Sequence, residues 1–247
     1  SLIMMSKNHV LVGASATTAA VAWVGALNYI GLYSYSSRAG GASEVFHHAI
    51  SDGDWLRAVR VACRVISEWL IPYDGSLLSL PGALYLVVIY AVALLASVLP
   101  DMDNARSKMG KRLPGKLWRL CTPATSPHRG LTHAVWFPVI LLAVGIIFEP
   151  VRFLIFAALG WSLHCRLDML SPAGRAWFYP WGTFRVTTFS NGTRCVIKKG
   201  QPTWYKVATP SERVVAVTIM MFHLALIALA VLCAWYLGHM NATTVLH

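Results

Sequence analysis

The sequence predicts an all-α integral membrane protein with about five transmembrane helices, and two observations carry that prediction. Of the 247 residues, 56% are hydrophobic and only 13% are charged, about half the charged fraction of a typical soluble domain. The chain also contains five apolar stretches of roughly 18 or more residues, the length that spans a bilayer as a helix. We expect a single membrane domain over residues 1–247, with two larger connections between spans.

The five predicted spans follow one another with few charged residues inside them. They cover about residues 10–33, 77–99, 131–148, 151–170 and 214–237. Glu149 and Pro150 separate the third span from the fourth, which predicts a tight helical hairpin there. The first span is too long to be a simple signal peptide, and no small-residue cleavage site stands out, so we expect it to be retained.

The first larger connection, about 35–76, contains one strongly patterned segment. Between about residues 53 and 71, apolar side chains recur at helical spacing while Arg57, Arg60 and Arg64 line another face. This pattern is typical of an amphipathic helix lying at the membrane interface. We expect it on the outer side, and a partner-binding helix is the alternative.

The second larger connection, about 171–212, predicts a small β-hairpin over about 183–198. Two β-rich runs flank Asn191-Gly192, a strong signal for a two-residue turn. Aromatic residues surround it: Trp177, Phe178, Tyr179, Trp181, Phe184, Trp204 and Tyr205. They are interpreted as an aromatic belt at the membrane interface, with a platform for an amphiphilic substrate as the alternative.

The distribution of basic residues predicts the orientation. If the five spans alternate, one side of the membrane holds 16 Lys and Arg residues and the other holds 5. Because basic residues gather on the cytoplasmic side, the N-terminus and the hairpin connection are predicted there and the C-terminus outside. Such a face attracts anionic lipid headgroups, which are expected as partners in preference to nucleic acid. The sequence does not predict an oligomeric state.

Four short polar clusters fall at the ends of predicted spans, and the alternating topology places all of them at this same face. They are His9; Asp101 and Asp103; His128 and His133; and His164 with Asp168. His164 and Asp168 are four residues apart and therefore lie on one helical face. Ionisable residues are costly inside a membrane, so their presence favours a function.

Simpler explanations cover individual clusters but not the set. A lone histidine at a helix end is usually solvated or capping, Thr132 is interpreted as a helix cap, and an ion pair accounts for His164 and Asp168. Metal binding accounts for the whole set, since several histidines with carboxylates suit zinc, or manganese or iron. Between one and three ions are expected. Asp101 or Asp103 could bridge ions or act as a general base, and Arg129 could bind a phosphate.

The motifs that carry these residues resemble a known family. "LPDMD", "PHRGLTH" and "HCRLDMLSPAGRAWFYPW" resemble the LexA-regulated, inner-membrane metal-dependent hydrolases of bacteria. That family is distantly similar to zinc-dependent phospholipase C and the S1/P1 nucleases. The resemblance implies phosphoester hydrolysis and implies metal binding by His9, Asp101, Asp103, His128, His133, His164 and Asp168. Asn104 stands where many members have histidine, which bears on the number of ions.

Three functions follow from these observations. The first is a membrane-embedded metal-dependent hydrolase of the bacterial inner membrane, acting on a lipid or lipid-linked phosphate at the cytoplasmic face. Its catalytic residues would be Asp101, Asp103 and Arg129. The second is a non-catalytic membrane partner or regulator with a structural metal. The third is a metal or proton transporter, for which the sequence offers only His223 deeper in a span.

Overall fold

The computed structural model describes residues 2–32, 42–70, 80–103, 128–171, 177–181, 185–188, 194–197 and 210–244. Within them the chain forms α1 (Leu2–Leu32), α2 (Ala42–Ser51), α3 (Trp55–Leu70) and α4 (Leu80–Ala96), then α5 (Trp136–Ile147), α6 (Leu154–Met169) and α7 (Pro210–Thr244). Short 3-10 turns cover Leu99–Asp103, Leu131–His133 and Glu149–Val151. The prediction of a mainly helical protein is confirmed.

Contacts along the chain define two compact units. One comprises Ser1–Thr17 and Val88–Phe222, and the other comprises Thr18–Val87 and His223–His247. Every residue of the predicted metal cluster belongs to the first unit. The single membrane domain expected from the sequence stays a prediction.

The core of the first unit is a cluster of buried apolar side chains that includes one residue of the turn Leu99–Asp103. Ala96, Met102, Ala157, Trp161 and Cys165 pack together there. The indole of Trp161 stacks on the ring of Phe137, with 5.1 Å between ring centroids. This core joins the end of α4, the start of α5 and the middle of α6, and so fixes the positions of the helix ends that carry the polar clusters.

Glycine allows α6 to pack closely against α4 within this unit. A Cβ atom on Gly160 would lie 2.2 Å from the carbonyl oxygen of Ala93, so only a residue without a side chain fits. The predicted hairpin between the third and fourth spans is confirmed as α5 and α6, joined by the turn Glu149–Val151. The close packing of α6 brings its last two turns beside the turn that follows α4.

The membrane-spanning prediction is supported for part of the chain. Within the described residues, segments Lys7–Leu27 of α1 and Pro210–Tyr236 of α7 are long and apolar enough to cross a membrane. Pro81–Ala96 and Trp136–Ile147 are shorter apolar helices, and α6 has 16 residues. At 1.5 Å per residue, a helix of about 20 residues is needed to span the hydrocarbon core. The count of five spans and their orientation therefore stay predictions.

In the second unit, α2 packs against α3. Helix α3 confirms the amphipathic segment predicted over about 53–71: Trp55, Val59 and Ile66 are exposed, and Ala58 and Val61 are buried. Helix α2 was not predicted. The side of the membrane on which α3 lies stays a prediction.

The predicted β-hairpin is confirmed as two antiparallel strands. Strand β1 (Arg185–Thr188) pairs with β2 (Arg194–Ile197), with Arg185 opposite Ile197 and Thr188 opposite Arg194. The predicted Asn191-Gly192 turn lies outside the described residues, as does Asn104. On the other edge of β2, Cys195 forms a parallel bridge with His128.

Candidate metal centre

The structure brings all four predicted polar clusters into one buried group. The side chains of His133, His164 and Asp168 are at most 1% exposed, and that of His9 is 3% exposed. Asp101 is the more accessible carboxylate, with 17% of its side chain exposed. The prediction that these residues share one location is therefore confirmed.

Helix α6 supplies one wall through His164 and Asp168. Nδ1 of His164 lies 2.8 Å from the backbone carbonyl oxygen of Ser97. A carbonyl oxygen can only accept a hydrogen bond, so Nδ1 carries the proton. In the neutral ring Nε2 then presents a lone pair, as in histidines that bind metal.

The turn Leu131–His133 supplies the facing ring, and Thr132 determines its tautomer. The Thr132 hydroxyl donates its one proton to Oδ2 of Asp103 at 2.5 Å. The hydroxyl oxygen lies 3.0 Å from Nδ1 of His133 and so accepts a hydrogen bond from it. In the neutral ring Nε2 of His133 therefore also presents a lone pair.

These two lone pairs face each other inside the protein. Nε2 of His133 lies 3.3 Å from Nε2 of His164. Oδ2 of Asp168 lies 3.0 Å from the first nitrogen and 3.7 Å from the second, yet it accepts no hydrogen bond although it is buried. With both rings neutral and protonated on Nδ1, three electron-rich atoms converge at these distances, an arrangement that a cation stabilises.

The spacing of the donor atoms fits a small metal ion. Oδ1 of Asp101 lies 3.6 Å from Nε2 of His164, and donor atoms of Asp101, His133, His164 and Asp168 all lie within 4.8 Å of one another. A tetrahedral ion with bonds of about 2.0–2.2 Å holds its ligand atoms about 3.3–3.6 Å apart. The measured separations of 3.0–3.7 Å bracket that value.

His9 reaches the same group from α1. Its ring centroid lies 4.2 Å from that of His164, and its Nε2 lies 3.9 Å from Oδ1 of Asp168. Its Nδ1 is buried with no hydrogen-bond partner. The preceding residue, Asn8, donates a buried hydrogen bond of 2.9 Å to Glu212, which holds this part of α1 against the start of α7.

Arg129 is buried and directed inward. Its guanidinium donates to Oδ1 of Asp168 at 3.0 Å and to the Ser171 hydroxyl at 2.7 Å, and the Ser171 hydroxyl donates to the backbone oxygen of Asp168. Arg129 has a φ of 62°, a left-handed conformation that costs a non-glycine residue about 1–2 kcal/mol. These contacts orient Asp168, while phosphate binding by Arg129 stays a prediction.

Asp103 accepts hydrogen bonds on both oxygens. Oδ1 lies 2.6 Å from Nδ1 of His128, and Oδ2 accepts from Thr132 and from the backbone N–H of Arg129 at 3.1 Å. Burial alone would raise the pKa of Asp103, but the nearby rings of His128 and His133 outweigh that effect and hold the pKa well below its usual range. Asp103 is therefore a carboxylate anion at neutral pH.

The hairpin is connected to this site through the backbone. The N–H of His128 donates to the carbonyl of Arg194 at 2.8 Å, and the N–H of Val196 donates to the carbonyl of His128 at 2.9 Å. The thiol of Cys195 is buried, and burial raises its pKa to about 11. The backbone of His128 is therefore hydrogen-bonded to β2, although the two segments lie far apart in the sequence.

Comparison with known proteins identifies the family. A family model described as YdjM inner membrane protein matches residues 74–242, more than half of the chain. The chain belongs to this family. Inner membrane protein YdjM of Escherichia coli (strain K12) and its namesake in Shigella flexneri are each 34% identical over 96 residues, 36% of this chain and 47% of the relative. The chain thus spans about half the length of the curated relatives it matches. No solved structure matches.

Family membership supports the membrane location more directly than the chemistry. As a member of this family, the chain is an inner membrane protein. The matched segment includes the polar clusters from Asp101 to Asp168, whereas His9 precedes it. LexA regulation and the similarity to zinc-dependent phospholipase C stay predictions from the motifs.

Sequence reasoning missed several residues that shape the site. Thr132 was expected to cap a helix, but α5 begins at Trp136 with Val135 as its cap, and the Thr132 hydroxyl bonds Asp103 instead. Ser97 acts through its backbone carbonyl, which no side-chain pattern reveals. Ser171 stands in the recognised "SPAG" motif, and that motif was the available signal for its contact with Arg129.

Proposed function

We propose that this protein is a metal-dependent hydrolase that cleaves a phosphoester at the cytoplasmic face of the inner membrane. The observation that carries the proposal is the pair of opposed Nε2 atoms of His133 and His164, 3.3 Å apart, beside Oδ2 of Asp168, which is buried and accepts no hydrogen bond. In each histidine a hydrogen bond at Nδ1 fixes the tautomer whose Nε2 is free to bind a metal. Such preorganisation favours a built metal site over a chance cluster.

The charges of the group also favour a divalent cation. Among the residues that the structure describes, three carboxylates, Asp101, Asp103 and Asp168, lie in this group, and the guanidinium of Arg129 pairs with one of them. Metal binding requires neutral histidine rings, and the group would then carry two negative charges in a largely buried place, which is costly unless they are compensated. Two imidazole nitrogens with carboxylate oxygens suit zinc, and also manganese or iron.

The residues divide into buried ligands and a more accessible carboxylate. His133, His164 and Asp168 would hold the ion, and Asp101, the most exposed of the four, lies where the group meets solvent. An ion bound there would lower the pKa of a water molecule and polarise a phosphoryl oxygen. Asp101 would accept a proton or complete the ligand set. Arg129 keeps Asp168 oriented.

The surroundings favour a lipid phosphate as substrate. Three residues after His133, Trp136 begins the apolar helix α5 and is exposed. It packs edge-on against Phe178 and Trp181, with centroids 6.1 and 5.7 Å away. Exposed tryptophans are enriched where a membrane meets water. A site so close to that boundary would lie at the depth of lipid headgroups.

The proposal is tested by metal analysis and hydrolysis with matched variants. Protein purified in detergent is assayed for zinc, manganese and iron, and for release of inorganic phosphate from phosphatidate micelles and from p-nitrophenyl phosphate. Asp168→Asn should lose both metal and activity. Glu149→Gln makes the same carboxylate-to-amide change at an exposed turn residue and should keep both. A wild-type protein without metal would refute the proposal.

A structural metal is the second candidate, favoured by the near-complete burial of three of the four donors. In that case the ion would tie helix ends together, and the protein would serve as a membrane partner or regulator. Stoichiometric metal with no hydrolysis of either substrate would support it. Faster hydrolysis of phosphatidate than of p-nitrophenyl phosphate would support the lipid phosphatase.

A further inference from the structure

We propose that Asp103 is a positioning residue rather than a metal ligand, and that the cluster holds one ion. This inference rests on the metal site of the proposed function and states which residues bind the ion and which orient those ligands. The ion would be held by His133, His164 and Asp168, with Asp101 at the accessible side. Asp103 would set the orientation of the residues that hold it.

The oxygens of Asp103 are already used by hydrogen-bond donors. Oδ1 lies 2.6 Å from Nδ1 of His128. Oδ2 accepts from the Thr132 hydroxyl at 2.5 Å and from the Arg129 backbone at 3.1 Å. A carboxylate that accepts this many hydrogen bonds has few lone pairs left for an ion. Asp168 differs because its Oδ2 accepts none.

Donor atoms of Asp103, His128 and His133 form a second group that could hold an ion, and its closest pair of donors is nearer than any in the first group. Asp103 and His128 approach to 2.6 Å, a charge-assisted hydrogen bond and shorter than the separation of about 3.3–3.6 Å between two ligands of one tetrahedral ion. The donors around Asp168 are separated by 3.0–3.7 Å. The first spacing requires a shared proton, and the second leaves room for a cation.

His133 links the two groups through different nitrogens. Its Nδ1 lies on the side of Asp103, 3.5 Å from Oδ2, with Thr132 as the closer partner. Its Nε2 lies on the side of Asp168. A carboxylate behind the distal nitrogen of a metal-binding histidine fixes the tautomer and raises the basicity of the ring. Asp103 has that position relative to His133.

Asp103 also acts on a second ligand through Arg129. Its Oδ2 accepts the backbone N–H of Arg129, a residue held at a φ of 62°. The side chain of Arg129 in turn bonds Oδ1 of Asp168. Asp103 therefore supports His133 through the Thr132 hydroxyl and Asp168 through Arg129.

The experiment measures Co²⁺ binding by the full-length protein in detergent. The visible d–d absorption of bound Co²⁺ reports its ligand set, and titration gives stoichiometry and affinity. We expect one ion per wild-type chain. Asp103→Asn should keep the same absorption bands while its affinity falls about 10- to 100-fold, the effect typical of removing an outer-shell partner. Asp168→Asn should change the bands or abolish binding.

Thr132→Val supplies a variant that leaves every proposed ligand and Asp103 in place. It removes only the hydroxyl between Asp103 and His133, and it should weaken Co²⁺ binding without changing the bands. A purely structural role for Asp103 would lower the melting temperature and leave the affinity of the folded protein unchanged, which would overturn the inference.

The wild-type stoichiometry tests the inference even if Asp103→Asn does not fold. Two Co²⁺ ions per wild-type chain, or altered bands in Asp103→Asn, would overturn it while leaving a metal-dependent hydrolase intact. One ion with the expected variant behaviour but no hydrolysis of any phosphoester would support the inference and refute the proposed activity. Absence of Co²⁺ binding would overturn both.

Discussion

Replacing Arg129 separates two contributions that the structure places on one residue. Arg129→Ala removes the guanidinium that lies 3.0 Å from the buried Asp168, and Arg129→Gly removes it as well. At an effective dielectric constant of about 20, charges 3.0 Å apart attract by roughly 5 kcal/mol. Breaking a buried pair from one side costs about 3–5 kcal/mol. Both variants should therefore be strongly destabilised in the metal-free protein.

The two variants should differ because of the backbone at this position. Alanine at a φ of 62° keeps a strain of about 1–2 kcal/mol that glycine does not have, although glycine loses roughly 0.5–1 kcal/mol through the greater entropy of its unfolded chain. Arg129→Gly should thus be the more stable variant by up to about 1.5 kcal/mol. The sign of that difference tests the left-handed conformation separately from the ion pair.

The assay is thermal unfolding in detergent with a chelator, followed by tryptophan fluorescence. For a chain of this size each kcal/mol shifts the melting temperature by about 2–4 °C, so Arg129→Ala should melt roughly 6–20 °C below wild type. Added Zn²⁺ should recover part of the loss, because the cation replaces the missing charge beside Asp168. An Arg129→Ala protein that melts like wild type under chelation would refute the reasoning.

Two further predictions concern packing and pH. Gly160→Ala places a Cβ 2.2 Å from the Ala93 carbonyl oxygen and should cost about 1–3 kcal/mol of stability by overpacking. The control Gly25→Ala, with nothing within 4 Å of the new Cβ, should be neutral or stabilising. Equal melting temperatures for the two variants would contradict the close packing of Gly160 against Ala93. The Cys195 thiol has its pKa raised from 9.0 to about 11 by burial, so above pH 9 the unfolded chain loses this proton first and stability falls as the pH rises towards 11. Cys195→Ala should show a smaller decline between pH 9 and 11 in parallel melting curves, and an identical decline would show that the thiol does not contribute.

The location of the site could be predicted because it depends on patterns that the sequence displays. His164 and Asp168 are four residues apart in an apolar run, and helical periodicity alone places them on one face. Alternation of spans placed the remaining clusters at the same level. The structure confirms that grouping, although the number of spans behind the argument stays a prediction. The polar clusters can lie together whenever the helix ends that carry them are close in space, whatever the number of spans.

The different roles of Asp103 and Asp168 could not be predicted from the sequence. Asp103 and Asp168 are both aspartates in short polar motifs, and no residue pattern distinguishes the one whose two oxygens accept several hydrogen bonds from the one with an oxygen that accepts none. The Ser97 carbonyl that fixes His164 belongs to the backbone, and any residue at position 97 would supply it. The tautomer of each histidine, and whether an aspartate binds the ion or orients a ligand, depend on three-dimensional contacts that only the structure shows.

The segment "HRGLTH" shows why the motif is longer than its histidines require. Only His133 of this segment is a proposed ligand, but the other residues are also used. Arg129 turns the chain through a left-handed conformation that directs its backbone N–H to Asp103. Thr132 places a hydroxyl between Asp103 and His133, and its carbonyl oxygen accepts the Trp161 indole N–H at 2.8 Å. The segment therefore orients ligands as well as supplying one, and substitutions of Arg129 or Thr132 should weaken metal binding without changing the ligand set.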